Sequence, residues 1–255
     1  DQIMTDRAFG EAGSSVLIQE LITGMEVSLH ALCDGKCAKL FPSSQDHKRA
    51  LDGDEGLNTG GMGAYSPVPF LSDEKLTEIA DSVLDPWLAG CAAEGIDFRG
   101  MLYPGVMLTD DGPKVLEFNA RFGDPETQVY VTRLENDLVD LLEASIDGTL
   151  AGHELRWSAQ SSVCVVMASG GYPGSYEKGK VITGIADADA LPGVKVFHAG
   201  TKLDGENVVT SGGRVLGVTA LDQGLQAARD LAYEAAAKIQ FEGAFTRTDI
   251  AAKGL

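Results

Sequence analysis

Two runs of strand-forming residues, 100–108 and 114–119, flank Thr109-Asp110-Asp111-Gly112, and so short a polar connection leaves antiparallel pairing as the way to join them. The second run continues through Glu117-Phe-Asn-Ala-Arg121 and the turn Gly123-Asp124-Pro125 into residues 126–146, whose apolar spacing predicts a helix. Alternate residues of a strand share a face. Glu117, Asn119 and Arg121 therefore project together, while Leu116 and Phe118 face the core. A hairpin that feeds a helix and carries a carboxylate, an amide and a guanidinium in one row constrains how the rest of the chain can be arranged.

Upstream, residues 16–20 and 27–33 read as strands, and the turn Asp34-Gly35 joins the latter to a third run ending at Phe41. Periodicity then disappears. Residues 43–69 form a polar stretch rich in Gly, Asn, Asp, Ser and Pro, far longer than an ordinary connection and of a length that usually carries function. Ser72 is the expected N-cap of a helix reaching residue 94, with Asp73 and Glu74 in its first turn and an interruption expected before Pro86. Small and polar residues at 148–159 mark a boundary. Strands at 162–167, 194–199 and 214–221 follow, then a helix over 222–240, so the fold class is α+β with one unit at 1–155 and a small α+β unit at 156–255.

With 44% hydrophobic and 23% charged residues the chain is an ordinary globular protein. Its formal charge of −18 repels nucleic-acid phosphate, and no apolar run is long enough to span a bilayer, so neither nucleic acid nor membrane is an expected partner. Cys33, Cys37, Cys91 and Cys164 lack the spacing of a zinc site or a disulfide framework and read as reduced thiols of a cytoplasmic protein, expected to be a monomer. The opening Asp1-Gln-Ile-Met has no initiator Met and no signal-peptide features, and reads as a chain entered in mid-fold.

Three constellations carry chemistry. Glu117 and Asn119 offer oxygen ligands suited to magnesium, which takes one or two from protein and the rest from water and phosphate; alternatively they line the wet side of an edge strand. Arg121 beside them would neutralise an anion during phosphoryl transfer. Residues 17–28 present a strand end flanked by Leu21 and Ile22, where backbone groups can read an adenine, with Glu26 in reach of ribose hydroxyls; a strand, glycine turn and strand with an incidental acid is the bland reading. In the long polar stretch, Asn58-Thr-Gly-Gly-Met-Gly-Ala-Tyr-Ser-Pro67 has three glycines in four positions, which let backbone N–H groups approach an anion, and Lys48 and Arg49 add positive charge. The competing reading is a solvated surface loop. His47 reads as a polar, hydrogen-bonded histidine rather than a base or ligand.

The strings Gln45-Asp-His-Lys-Arg49, Asn58-Thr-Gly-Gly-Met-Gly-Ala-Tyr-Ser-Pro67, Glu117-Phe-Asn-Ala-Arg-Phe-Gly-Asp-Pro-Glu126, Gly171-Tyr-Pro-Gly174 and Phe197-His-Ala-Gly-Thr201 resemble, in order and separation, those of the glycinamide ribonucleotide synthetase family of ATP-grasp ligases. The resemblance covers essentially the whole chain and implies a partial ATP-grasp core followed by the family's carboxy-terminal domain. It implies an adenine hinge at Gln19, Glu20, Leu21 and Ile22, ribose held by Glu26, nucleotide phosphates contacted by Arg49 and Asn58, and magnesium or manganese ligated by Glu117 and Asn119. The implied reaction joins glycine to 5-phosphoribosylamine with cleavage of ATP, through a glycyl phosphate, with magnesium and Arg49 stabilising the transferring phosphoryl group; Arg121, by its place on the strand face, is expected to hold either the glycine carboxylate or the phosphoryl oxygens. Relative to the family, the amino-terminal domain and most of the ATP lid are not in the chain, so activity of this piece alone is not expected. Another ATP-grasp carboxylate–amine ligase, or a nucleotide-binding domain without catalysis, are the alternatives.

Overall fold

The computed structural model describes residues 2–8 and 10–255. Its first sheet is built on one long strand. β1 (Met25–Ser28) and β2 (Ala31–Asp34) keep a single antiparallel register against β8 (Arg99–Thr109), from Met25 opposite Leu108 to Ala31 opposite Leu102, and so act as one strand interrupted at Leu29 and His30. β3 (Ala38–Leu40) extends the sheet beside β2, and β9 (Gly112–Asn119) closes the hairpin with β8 on its other side. A bulge opposite Gly105 and Val106 puts Lys114 and Glu117, three apart in sequence, opposite Met107 and Gly105, two apart.

The polar stretch after β3 is more ordered than its sequence suggests. It holds β4 (Gln45–Asp46), the hairpin β5 (Arg49–Leu51) and β6 (Glu55–Asn58), and β7 (Gly63–Ser66), whose four residues are all buried. Strands of two to four residues cannot show alternation, and glycines remove the apolar signal. The three glycines do not form an open anion cradle. A Cβ at Gly61, where φ is +118°, would lie 2.5 Å from Pro125 and 2.6 Å from the Asp46 carboxylate, and one at Gly63 would meet the Cys164 carbonyl at 2.6 Å. They permit close packing of backbone on backbone.

Residues 16–20 form no strand, and Leu17, Ile18 and Leu21 are more than 80% exposed. An apolar run becomes a strand only where a neighbour completes its hydrogen bonds, and no described strand pairs with this one. Helix α1 (Asp73–Ala93) begins as expected, with the Ser72 hydroxyl accepting from the Lys75 amide, but it runs through Pro86 without a break. The helix expected over 126–146 is two, α2 (Glu126–Arg133) and α3 (Leu138–Asp147). The chain is pulled straight at Leu134 by a bridge to Trp157 and restarted by Asp137, whose carboxylate caps the Val139 amide.

The second sheet centres on β10 (Ser161–Ser169), buried at all nine positions as expected of a strand covered on both faces. Around it stand β14 (Arg214–Asp222), β11 (Val194–His198) and the two-residue β15 (Ala244–Phe245); β12 (Thr201–Asp204) and β13 (Asn207–Thr210) form a separate hairpin. α4 (Ile185–Asp189) is short, and α5 (Leu225–Lys238) lays Leu225, Ala228, Ala232 and Ala235 on the sheet. The other edge of β10 pairs with β7, and β7 with β4, so this six-stranded sheet takes strands from both sides of residue 155. Valines 163, 165 and 218 meet Met62 and Tyr65 in the same buried cluster, each such side chain contributing about 1.5–3 kcal/mol. All four cysteines are free; burial pushes the Cys33 and Cys164 thiols up to about 12.

Candidate functional site

The cross-strand rows of the first sheet assemble the site. Glu26, Met107 and Lys114 form one row on β1, β8 and β9; Ser28, Gly105 and Glu117 form the next on the same face; Tyr103 and Asn119 form a third. Gly105 leaves the middle of that face open, and the Glu117 side chain passes 3.5 Å from where a Cβ would stand. Asn119 Nδ2 donates to Glu117 Oε1 at 2.9 Å, and Arg121 Nη2 donates to Asn119 Oδ1 at 3.4 Å, so the expected row is one hydrogen-bonded unit. Its oxygen donors, one carboxylate and one amide, have the chemistry a hard cation requires.

A cleft of about 630 Å³ opens beside these rows, and Glu26, Arg49, Asn58, Asp46, Lys48 and Lys253 line it. Three of the expected residues, Glu26, Arg49 and Asn58, are thus brought together, with Arg49 and Asn58 as cross-strand partners in the β5–β6 hairpin. Glu117 and Asn119 stand on the neighbouring rows of the sheet rather than in the cleft wall. Residues 19–22 carry no regular structure and lead to Gly24, which lines the cleft; a Cβ on Gly24 would meet the Leu108 carbonyl at 2.2 Å.

The link between cleft and sheet rows is Lys48, which sequence reasoning noted only for its charge. Its ammonium lies 2.9 Å from the Asp46 carboxylate, 3.9 Å from Glu26 and 4.0 Å from Glu126, and donates to the Tyr103 hydroxyl at 3.4 Å. Tyr103 donates to Glu126 Oε1 at 2.5 Å, and Ser28 donates to the same oxygen at 3.2 Å. The Asp46 and Glu126 side chains are only 2% exposed. Burial, and then the nearby Glu126 charge, push the Asp46 carboxyl up to about 7. Burial also opposes the Lys48 ammonium, but Asp46 and Glu126 outweigh it and hold its pKa above the ordinary lysine value. The signal for this cluster was Asp46 and Lys48 two apart, between the end of β4 and the start of β5, with Glu126 opening a helix.

His30 stacks on Tyr103 at 4.0 Å and shares a hydrogen bond with the Tyr130 hydroxyl at 3.0 Å; burial, then Lys48 and Arg121, lower its pKa to about 3. His47 is wholly buried: its Nδ1 donates to the Gly63 carbonyl at 3.2 Å, and its Nε2 accepts from the Ala251 amide at 3.3 Å. It is a structural tie, as its polar neighbours suggested.

Residues 156–255 hold the site from behind. Arg214 donates to the carbonyls of Gly60 at 3.0 Å and Asp124 at 2.6 Å and pairs with the Asp124 carboxylate at 3.2 Å, while the Tyr172 hydroxyl accepts from the Gly60 amide. Arg247 is buried between Asp249 and Asp54, Thr248 binds Asp52, and Lys253 pairs with Asp54. Together these contacts anchor the β5–β6 hairpin that carries Arg49 and Asn58.

Residues 1–127 match the model of the phosphoribosylglycinamide synthetase ATP-grasp (A) domain, and residues 162–253 match the C domain of the same synthetase. The chain is 50% identical over 257 residues to a phosphoribosylamine–glycine ligase of Rhodopirellula baltica, covering 100% of this chain and 59% of that protein. It is 50% identical over 259 residues to a chloroplastic phosphoribosylamine–glycine ligase of Arabidopsis thaliana, covering 49% of it. The crystal structure of the Thermotoga maritima phosphoribosylamine–glycine ligase superimposes with a TM-score of 0.78 at 38% identity, over 91% of this chain and 56% of that one. A biotin carboxylase domain of a 2-oxoglutarate carboxylase, 13% identical with a TM-score of 0.62, shares the fold alone. The chain thus spans about half the length of the relatives it matches, and it belongs to the phosphoribosylglycinamide synthetase family, with that family's ATP-grasp fold.

Proposed function

We propose that this chain carries the nucleotide-binding part of an ATP-dependent ligase that joins glycine to 5-phosphoribosylamine, giving glycinamide ribonucleotide, ADP and phosphate in purine biosynthesis. The observation that carries the reading is the convergence of Glu26, Arg49 and Asn58 on one cleft, beside the Glu117–Asn119 row, in a chain half identical to phosphoribosylamine–glycine ligases. In this reading residues 1–155 are a partial ATP-grasp core and residues 156–255 its supporting domain.

Backbone groups at Gln19, Glu20, Leu21 and Ile22 would read adenine, and Glu26 would accept hydrogen bonds from ribose hydroxyls. Arg49 and Asn58 would hold phosphate oxygens, and Arg121 would hold the glycine carboxylate or the transferring phosphoryl group. Glu117 and Asn119 would ligate magnesium or manganese, which when bound offsets phosphate charge. The glycine carboxylate oxygen attacks the γ-phosphorus as the bond to ADP breaks. The amine nitrogen of phosphoribosylamine then attacks the acyl carbon, loses a proton, and phosphate leaves. The chain's own part is placement, and exclusion of water from the acyl phosphate. No described helix is long and apolar enough to cross a membrane; we place the enzyme in the cytoplasm, acting as a monomer without nucleic-acid or membrane partners.

The test is ADP release by the full-length protein that contains this chain, purified and supplied with ATP, magnesium, glycine and phosphoribosylamine, with product identified by mass. Release that requires both glycine and phosphoribosylamine supports the reading. Release driven by bicarbonate would assign a carboxylase, and nucleotide binding without turnover under any acceptor would assign a binding module.

A further inference from the structure

The cleft is lined by three cationic side chains that differ in how they are held. Lys48 is surrounded by the carboxylates of Asp46, Glu26 and Glu126. Arg49 donates to the Gly56 carbonyl at 2.7 Å and, among the described residues, has no carboxylate within 4 Å. Lys253 comes from the far end of the chain and pairs with Asp54, at the turn of the β5–β6 hairpin.

Asp54 has a second cation. Wholly buried Arg247 donates to its carboxylate at 3.1 Å and also holds Asp249 through two contacts of 2.7 Å. Lys253 can therefore move off Asp54 without leaving any carboxylate of this cluster bare. Both Lys253 and Asp54 side chains are 40% exposed, facing the cleft, and lysine carries its charge on a flexible four-carbon stem with three rotatable donors. Arg49 and Asn58 stand on the same hairpin as Asp54. An anion entering beside Arg49 thus meets one unneutralised guanidinium and one ammonium held by a shared, replaceable partner.

We propose that Lys253 leaves Asp54 to bind a phosphate oxyanion lodged between it and Arg49, so that the carboxy-terminal unit contributes a ligand-binding residue to the cleft. Resting on the function proposed above, the phosphate has two sources, the polyphosphate of the nucleotide and the 5-phosphate of the ribosyl amine.

Calorimetric titration with MgADP and, separately, with ribose 5-phosphate distinguishes them, using the parent protein and the variants Lys253→Met, Lys253→Arg and Asp54→Asn. Lys253→Met is expected to weaken one probe by about tenfold, the loss of one charge-assisted contact, with Lys253→Arg retaining most of the affinity. The probe affected names the source. Asp54→Asn keeps the lysine and removes its resting partner, so binding stays equal or tightens. Lys253→Met binding both probes as the parent does would overturn the proposal, as would Asp54→Asn weakening binding as much as Lys253→Met, which would make the pair structural. A parent protein that binds neither probe would overturn the proposed function itself and this inference with it.

Discussion

Wholly buried Arg247 donates from Nη1 to the backbone carbonyl of Arg49 at 3.1 Å, across 198 positions of sequence. The backbone of the hairpin is therefore fixed from the carboxy-terminal segment, while the exposed Arg49 side chain is left to the cleft. Stability and ligand binding should separate at these two residues.

Arg49→Ala is expected to change unfolding free energy by no more than about 0.5 kcal/mol, as for most surface substitutions, but to weaken MgADP binding by about 2 kcal/mol. Urea unfolding and calorimetric titration of the same samples check both halves. Equal nucleotide affinity in variant and parent would remove Arg49 from the phosphate site.

Arg247→Met leaves Asp249 and Asp54 without their buried cation and should destabilise by about 3–5 kcal/mol. Hydrogen exchange should accelerate first in the amides of residues 52–58. Protection there equal to the parent's would show that the hairpin is held by other contacts.

Gly61 and Gly53 both have positive φ, at +118° and +68°, but only Gly61 is crowded. Gly53→Ala should cost about 1–2 kcal/mol for the left-handed backbone alone. Gly61→Ala adds overpacking against Pro125 and Asp46, for a total of about 3 kcal/mol or more. Similar melting temperatures for the two variants would contradict the close-packing role assigned to the glycines at 61 and 63.

Burial first, then the charges of Arg247 and Lys253, hold the His47 pKa down to about 4. In the unfolded chain it returns to about 6.5. Above that value both states are neutral and the full contribution is present. As pH falls from about 6.5 to 4 the unfolded state alone takes the proton, so stability is lost at about 1.4 kcal/mol per pH unit from this residue. An NMR titration should show the His47 ring signals unmoved down to pH 5. A midpoint near 6.5 in the folded protein would refute the tie to Ala251.

The hairpin from residue 100 to 119 was legible because its strands are long enough to alternate and its turn is explicit, and that made the row Glu117, Asn119, Arg121 legible too. Arg49 and Asn58 were singled out through motif strings and Glu26 through the strand end at residues 17–28, and the three line one cleft. Tyr103 and Glu126 were missed because their relation to Lys48 exists only after β8 and α2 converge on it, across separations of up to about 80 residues, and Asp46, two residues from Lys48, gained its meaning only with them. Lys253 has no local signal at all. The break between α2 and α3 also escaped, since the Trp157 bridge that straightens Leu134 is a tertiary contact overriding helical spacing.

The pairing of β7 with β10 sets a schedule for the nascent chain. Gly63 must find Val165, about a hundred residues later, and at roughly 5–20 residues per second of synthesis β7 waits about 5–20 seconds for its partner. Throughout that interval one edge of β7 presents unpaired backbone groups next to Met62 and Tyr65, side chains that end wholly buried. Building one sheet from both halves of the chain thus opens a window during translation in which an unpaired strand edge and its apolar neighbours are available to other chains.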